Sequence, residues 1–384
     1  MGISAEEDSK NLIKGHGLTK KSRKRNVIGS IVFILIFLFL LRTVSYIVRT
    51  NGAVKDRFSG FYAEPKDTID AVMIGSSPVY PYYSAPQMYG ESGIAAYPLS
   101  SNLQRPAAAL GLMEEAYKRQ SPKLFIFEMR MYLADDSTLT ENMSYTRGVT
   151  DNLKYSYNRI KTVDRMVKGV TNESDQEPLD SYYFDIMKFH SNWAMLFIPY
   201  EWRNWNYTAY DRYKGYEFKD TVGPCSYNDV SKTSGMEKIP EEQEQYLDEL
   251  ISYLKAHDQE ALFIVSPYIE TEEDKKKYNY MEKKIGAAGY DLIDLNDHVS
   301  EIGLDYSKDI ADYGTHVNAV GAEKCTSYLE TVIDENYDMP DRRNDKRYAR
   351  WDKAYEEWKT EMGIERQTIS SRIKDKDYFV REDN

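Results

Sequence analysis

Residues 27 to 48 form one long apolar run, VIGSIVFILIFLFLLRTVSYIV. A helix needs about 20 mainly apolar residues to cross the hydrocarbon core of a bilayer, and this run reaches that length with one interruption, at Arg42. An arginine near the end of a span can extend its side chain to the lipid headgroups. The run therefore predicts a membrane-spanning helix, and the lipid bilayer is the first expected partner of the chain.

The segment before this run, residues 1 to 26, is strongly basic. Its basic residues are Lys10, Lys14, Lys20, Lys21, Arg23, Lys24 and Arg25. Because such residues stay on the cytoplasmic side of a span, the segment is predicted to be a cytoplasmic tail. A cleaved signal peptide is the rival interpretation. However, the apolar run exceeds the usual ~7–15 residues and no A-x-A-like cleavage site follows. An uncleaved single-pass anchor in the cell membrane is expected, with the main domain extracytoplasmic.

The rest of the 384-residue chain is long enough for one large domain or two ordinary ones. The net charge of -12 argues against nucleic acid as a partner. The two cysteines, Cys225 and Cys325, are too few for a disulfide framework, and they form either one bridge or two buried thiols. The histidines and cysteines are scattered, and the sequence contains no P-loop or dinucleotide fingerprint, so no metal or cofactor is expected.

Short apolar runs alternate with helical patterns through the body. The four runs that are typical of buried strands lie within residues 68–81, 122–132, 260–269 and 290–297, and helical stretches cover 105–120, 240–258 and 272–289. Strands without polar alternation are typical of a parallel sheet covered on both faces, so the pattern predicts an α/β fold. Residues 140–240 are aromatic and irregular, and we interpret them as an insertion over the sheet edge that carries binding or lid elements. The tail, residues 338–384, is charged and helical, and it packs either on the body or on a partner.

Two short motifs together suggest nucleophilic chemistry. Gly75-Ser76-Ser77 follows the first apolar run, where a parallel sheet places its ligand crevice. A serine needs a base to become a nucleophile, and the base needs an orienting carboxylate. Asp312 and His316, in DYGTH just before an amphipathic helix, supply both residue types.

The blocks AVMIGSSPVY, AAYPLSSNLQRP, FHSNW, ALFIVSPY and DYGTHVNAVGAEKCTSYL occur in this order. In them the chain resembles the SGNH/GDSL hydrolase-like superfamily over about residues 66–335, and more closely its membrane-anchored bacterial branch related to DltD. The resemblance implies a three-layer α/β/α sandwich with Ser77 as nucleophile, His316 as base and Asp312 as acid. The family pattern His-x-Asn-x-x-Gly-Ala is matched from His316 to Ala322.

Two departures from the family pattern leave alternatives open. The family's acid usually lies three residues before the histidine, whereas Asp312 lies four before, so Asp309 is a rival. The second block lacks the family's glycine, so either Ser101 or Asn102 is expected to serve the oxyanion. The third block lacks the asparagine, as in the DltD-like branch, and has Glu128 and Arg130 near that strand end.

Three residues are candidates for contacting substrate. Arg130 is suited to a phosphate or carboxylate, or else it pairs with a protein carboxylate. His190 and Trp193, in FHSNW, lie either in the substrate cleft or in a helix with a polar edge and a buried tryptophan.

The resemblance implies a membrane-anchored serine acyltransferase or carbohydrate esterase. It would act on acyl esters of envelope polysaccharides or teichoic-acid-like polymers, with a membrane-bound O-acyltransferase as partner. The alternatives are a catalytically silent glycan-binding or scaffold protein and an ordinary lipase or esterase outside the cytoplasm.

Overall fold

The computed structural model describes residues 20–49, 52–168, 170, 177–203 and 205–380, so the predicted basic tail lies largely outside the described residues. The strands are β1 (Ala71–Gly75), β2 (Ala96–Ser100), β3 (Leu124–Glu128), β4 (Glu260–Val265) and β5 (Asp291–Asp294). They form one parallel sheet in the order β2-β1-β3-β4-β5. The predicted α/β class with a parallel sheet is confirmed, and the four predicted runs contain β1, β3, β4 and β5.

Both faces of the sheet are buried, which explains the absence of polar alternation in its strands. Successive side chains of a strand point to opposite faces. Val72 and Ile74 of β1 therefore enter one hydrophobic core, whereas Ala71 and Met73 enter the other. Each face needs apolar side chains because helices cover it in turn.

The helices lie on both sides of this sheet. Their bounds are α1 (Lys20–Val48), α2 (Gly52–Ala63), α3 (Ala85–Ser92), α4 (Ala109–Tyr117), α5 (Asp136–Leu139), α6 (Met143–Thr150), α7 (Tyr157–Val167), α8 (Asp180–Tyr183), α9 (Ile186–Phe189), α10 (Pro199–Arg203), α11 (Glu241–Ala256), α12 (Glu272–Ala287), α13 (Val299–Ile302), α14 (Ala319–Asn336) and α15 (Ala349–Asp375). Side chains of α2, α4, α11 and α12 fill the core on one face, those of α13 and α14 fill the core on the other, and α3 and α15 contribute side chains to both.

The strand β2 was not predicted from the sequence. It contains Pro98, which pairs in register with Met73 of β1. A proline cannot donate a hydrogen bond to a neighbouring strand, so it is found in sheets mainly on edge strands. β2 is an edge strand with a single neighbour, so the sheet tolerates this proline.

Among the described residues, one helix segment, Lys24–Val48, is long and apolar enough to cross a membrane. A membrane anchor and a signal sequence both have this character. The apolar side chains between Val27 and Leu40 are exposed, whereas Tyr46, Ile47 and Val48 are buried against the body. The end of α1 is therefore part of the packed domain.

The aromatic region 140–240 lies in the long connection between β3 and β4. Its first described part contains α6 and α7, which pack against each other, with α7 also against α4. Its middle part contains α9 and a 3₁₀ turn, Trp193–Phe197, which both pack against α1. Part of the region thus lies beside the apolar helix rather than over the edge of the sheet.

The C-terminal helix α15 packs on the body of its own chain. It contacts α3 and α14, and it buries Trp351, Trp358 and Met362. The contact with α3 is close, because a Cβ atom added to Gly90 would lie 2.2–2.3 Å from ring atoms of Tyr355. The sequence had left open whether this helix binds the body or a partner.

Two glycine substitutions are expected to change stability in opposite directions, and the first of them tests the packing of α15 on α3. Gly90→Ala should lower the free energy of unfolding by about 1–3 kcal/mol, because the new methyl group displaces the Tyr355 ring. Gly286→Ala, in α12 with open space around its Cα, should raise it by about 0.5–1 kcal/mol. Denaturant unfolding of the detergent-solubilised protein measures both values. A neutral Gly90→Ala variant would show that α15 does not lie on α3.

Candidate active site

The candidate site lies at the carboxyl edge of the sheet. Ser77, Asn102 and Arg130 each follow their strand, β1, β2 and β3, by two residues. In a doubly wound sheet of the order 2-1-3-4-5, ligands bind beyond the carboxyl ends of the strands where the strand order reverses. That point lies between β1 and β3, so the topology brings Ser77 and Arg130 to the crevice.

Ser77, His316 and Asp312 form a continuous hydrogen-bonded chain. His316 Nε2 lies 2.8 Å from Ser77 Oγ, and His316 Nδ1 lies 2.6 Å from Asp312 Oδ2. With the Nδ1 proton donated to the carboxylate, Nε2 is left to accept the hydroxyl proton of Ser77. The arrangement is that of a nucleophile, a general base and an orienting acid.

The loop that carries His316 is held by the same carboxylate. Asp312 Oδ1 accepts the backbone N–H groups of Thr315 at 3.1 Å and His316 at 2.7 Å. Burial raises the pKa of Asp312, but the hydrogen bond and charge of His316, together with these two N–H groups, keep that pKa below its ordinary value. Asp312 is therefore ionised at neutral pH and fixes both the loop and the imidazole.

The residues after His316 explain the pattern His-x-Asn-x-x-Gly. Asn318 is the N-cap of α14, and its Oδ1 accepts the N–H groups of Val320 and Gly321. A Cβ atom at Gly321 would lie 2.5 Å from the carbonyl oxygen of Asp309. The cap and the close approach fix the start of α14 and, with it, the position of the histidine.

The rival acid, Asp309, has other partners. Its Oδ2 accepts hydrogen bonds from Lys324 Nζ at 2.6 Å and from the N–H of Asp305 at 2.7 Å. The carboxylate is buried and belongs to the packing of α14 against the preceding turn. The structure thus places Asp312, and not Asp309, on the imidazole.

The two oxyanion candidates differ in position. Asn102 lines the cleft, and its Oδ1 accepts a hydrogen bond from Tyr80 Oη, which directs the amide nitrogen away from Tyr80. The Ser101 side chain is buried and donates to Gln104 Oε1 at 3.2 Å. The Asn102 amide is therefore the side-chain donor available at this strand end, and the expectation for the Ser101 hydroxyl is corrected.

Arg130 binds the histidine loop from the third strand end. Its Nη1 donates to the Thr315 carbonyl at 3.0 Å, and its guanidinium lies 4.3 Å from the centre of the Tyr268 ring. The side chain also lines the cleft beside Ser77. Arg130 therefore supports the loop while it presents positive charge to the crevice.

Glu128 is the last residue of β3, two residues before Arg130, and its carboxyl group is buried. Its Oε2 accepts the Arg130 N–H at 3.4 Å and its Oε1 accepts the Ser266 N–H at 3.5 Å. Burial raises the pKa of Glu128 to about 7, although Arg130 acts to lower it. The raised pKa couples the stability of this strand end to pH.

The cleft has a volume of about 630 Å³ and is lined in part by residues that the sequence did not single out. They are Ala53, Val54, Arg57, Tyr145, Glu217, Lys219, Thr221 and Phe379. These residues come from α2, from the aromatic region and from the C-terminal segment. Arg57 is buried, donates to the carbonyl oxygens of Gly215 and Ser100, and stacks on Tyr80. Sequence patterns gave no signal for these residues, because no motif connects such distant segments.

His190 and Trp193 lie elsewhere. Among the described residues, those that line the cleft do not include either of them. Both are exposed and flank the segment that packs on α1, where Asn192 Nδ2 donates to the Val48 carbonyl. The expectation that they lie in the substrate cleft is therefore corrected, because the FHSNW segment packs against the apolar helix α1 instead. Trp193 is also not the buried tryptophan of the alternative interpretation.

Comparisons with known proteins add no family assignment. No protein-family model matches the chain, and no curated protein matches it. Within the described ranges, no three His, Cys, Asp or Glu side chains are grouped so as to hold a metal ion, and Cys225 and Cys325 are free thiols. The fold and site define an α/β protein with a Ser-His-Asp arrangement in a charged cleft.

The pKa of Glu128 predicts a pH-dependent stability. A carboxyl group whose pKa is higher in the folded state stabilises that state below its unfolded pKa, near 4.5. This contribution is lost as the pH rises towards 7. Glu128→Gln should remove this loss, which is on the order of 3 kcal/mol or less. Denaturant unfolding at pH 4.5 and pH 8 measures the difference between variant and wild type. An equal change with pH in both proteins would contradict the assignment.

Proposed function

We propose that the chain is a membrane-anchored serine acyltransferase or esterase of the SGNH type. The observation that carries the proposal is the hydrogen-bonded chain from Ser77 through His316 to Asp312. Its position at the carboxyl edge of a parallel sheet supports the same chemistry. The ordered motifs resemble the SGNH/GDSL superfamily, and the sheet order and the helices on both sides are consistent with its three-layer sandwich.

The proposed reaction proceeds in two halves. His316 Nε2 takes the proton of Ser77 Oγ as this oxygen attacks the carbonyl carbon of an acyl ester. The oxyanion would be bound by the N–H of Ser77 and the amide of Asn102. When the tetrahedral intermediate collapses, His316 donates its proton to the departing alcohol and the acyl group stays on Ser77.

The second half regenerates the serine. A hydroxyl group of an acceptor, or water, gives its proton to His316 and attacks the acyl carbon. The ester bond to Ser77 breaks, and its oxygen recovers the proton from His316. A sugar or polyol hydroxyl as acceptor makes the protein a transferase, and water makes it an esterase. Asp312 remains ionised throughout and stabilises the imidazolium.

The proposed substrate is an envelope polysaccharide or a teichoic-acid-like polymer. The cleft is lined by three cationic side chains, Arg57, Arg130 and Lys219, against two carboxylates, Glu217 and Asp312, and the excess of positive charge suits an anionic polymer. The apolar helix α1 is proposed to be an uncleaved anchor with the domain outside the cytoplasm. The burial of its last residues in the domain supports an anchor that remains attached. A membrane-bound O-acyltransferase is the proposed partner, by resemblance alone.

One observation favours a second candidate. The third strand end carries Glu128 and Arg130 in place of the asparagine of the SGNH pattern. Arg130 is engaged with the histidine loop. A glycan-binding or scaffold protein on this fold would keep the cleft without turning over esters. Serine-directed labelling distinguishes the two candidates.

We expect a fluorophosphonate probe to label the wild-type protein at Ser77. Ser77→Ala and His316→Ala should abolish labelling, because the first removes the nucleophile and the second removes its base. Ser76→Ala is the matched control, since the Ser76 hydroxyl is buried beside the site without touching the histidine. Intact-mass spectrometry reads the adduct. Labelling that survives in Ser77→Ala would exclude the mechanism, and an unlabelled wild type would favour the binding protein.

The acid is tested by comparing two aspartates. Asp312→Asn should slow labelling by ~10³–10⁴, because the imidazole loses the carboxylate that sets its tautomer. Asp309→Asn should lower thermal stability, since it weakens the contact with Lys324, but it should leave the labelling rate of the folded protein nearly unchanged. Labelling rates and melting temperatures are measured for both variants. The reverse pattern would make Asp309 the acid.

A further inference from the structure

An exposed apolar surface lies in the segment between α8 and the end of α10. We name it the aromatic platform and define it by its exposed apolar side chains, Phe184, Met187, Trp193, Phe197, Ile198 and Trp202. Phe197 is the most exposed of them, at 85%. Single exposed apolar residues are common on protein surfaces, but six of them within one short segment are a candidate interaction surface.

The aromatic platform is packed around the end of α1. The segment that carries it contacts α1 through α9 and through the 3₁₀ turn Trp193–Phe197. Trp205, just after the segment, meets the Phe39 ring edge-on at 5.5 Å. At the other end of the contact, Asn192 donates to the Val48 carbonyl at 3.2 Å. The platform therefore continues the exposed apolar surface of α1.

The length of α1 sets the depth of these contacts. At a rise of 1.5 Å per residue, Phe39 lies roughly 18 Å and Val48 roughly 31 Å along the helix from Val27. The hydrocarbon core of a bilayer is about 30 Å thick. If α1 enters the core at Val27, the contacts from Phe39 to Val48 lie within its outer part and at its surface. Tilting the helix would bring them deeper still.

Two acidic side chains near the aromatic platform are turned towards the protein. Asp185 is buried and pairs with Arg49. Glu201 pairs with Lys55 of α2. These contacts neutralise charge on the protein side of the segment. Its exposed side chains are mainly aromatic and aliphatic, and the exposed Lys188 of α9 pairs with Glu177. Tryptophan and other aromatic side chains are favoured at the level of the lipid headgroups.

We propose that the aromatic platform is embedded in the outer interfacial layer of the lipid bilayer beside α1. The proposal rests on the anchor proposed above, but it is independent of the serine chemistry. The occupant of the surface is lipid, because the depth of the contacts along α1 places the platform at the bilayer surface. It has a consequence for the site: α2, which follows α1 after three residues, contributes Ala53, Val54 and Arg57 to the cleft. The cleft is thereby held close to the membrane.

The experiment uses tryptophan quenching in the full chain. The protein has five tryptophans. Trp193 and Trp202 lie on the platform, whereas Trp358 of α15 is buried in the hydrophobic core. The chain is reconstituted into phosphatidylcholine vesicles whose acyl chains carry bromine either near the headgroup or near the bilayer centre. We expect stronger quenching by the shallow bromine. Trp193→Phe should reduce the emission that bromine quenches. Trp358→Phe is the control and should leave the quenched emission unchanged. The Trp358 side chain is buried, and its indole nitrogen has no hydrogen-bond partner that the substitution would remove.

Two further measurements separate this proposal from the others. Resistance to alkaline carbonate extraction reports whether α1 is inserted, and fluorophosphonate labelling reports the serine site. An inserted chain with no loss of quenching in Trp193→Phe overturns the lipid contact, since the surface then faces water or another protein. If alkaline carbonate extracts the protein from the vesicles, both the membrane anchor and the lipid contact of the platform are overturned. Fluorophosphonate labelling of Ser77 is expected to persist in Trp193→Phe. An absence of labelling in the wild-type protein therefore counts against the serine mechanism and not against the lipid contact.

Discussion

The burial of both faces of the parallel sheet is the constraint on which the rest of the structure depends. Each strand sends alternate side chains into two separate cores, and helices must cover both. The chain therefore crosses from one strand to the next through helices. The carboxyl ends of β1, β2 and β3 are left at one edge, where the connections leave the sheet, and the polar residues after these strands meet there.

The candidate site then depends on a short polar loop that is stabilised from several directions. Asp312 accepts two backbone N–H groups of its own loop and also orients His316. Arg130, from the next strand end, binds the Thr315 carbonyl, and Asn318 caps the helix that follows. The residues that fix the imidazole thus come from different segments, and their joint packing gives the histidine one orientation towards Ser77.

Much of the fold was predictable because it depends on local patterns. Uninterrupted apolar runs indicated four strands, and β2 was missed because Pro98 is acceptable only on an edge strand, which a local pattern does not identify. Ser77, Asp312 and His316 were singled out by residue type, motif order and resemblance, and the structure brings them together. His190 and Trp193 were misplaced, since their motif says nothing about packing on α1.

The sequence by itself determined the apolar helix, the α/β class and the candidates Ser77 and His316 for nucleophile and base, and it left two aspartates as candidates for the acid. Periodicity, residue type and motif order are properties of the chain alone. Tertiary structure decided which aspartate meets the histidine, which strand-end side chain faces the cleft, and that α15 packs on its own domain. It also placed the aromatic platform beside α1. These outcomes depend on contacts between residues far apart in the chain, and such contacts are set by packing geometry and hydrogen bonding in the folded state.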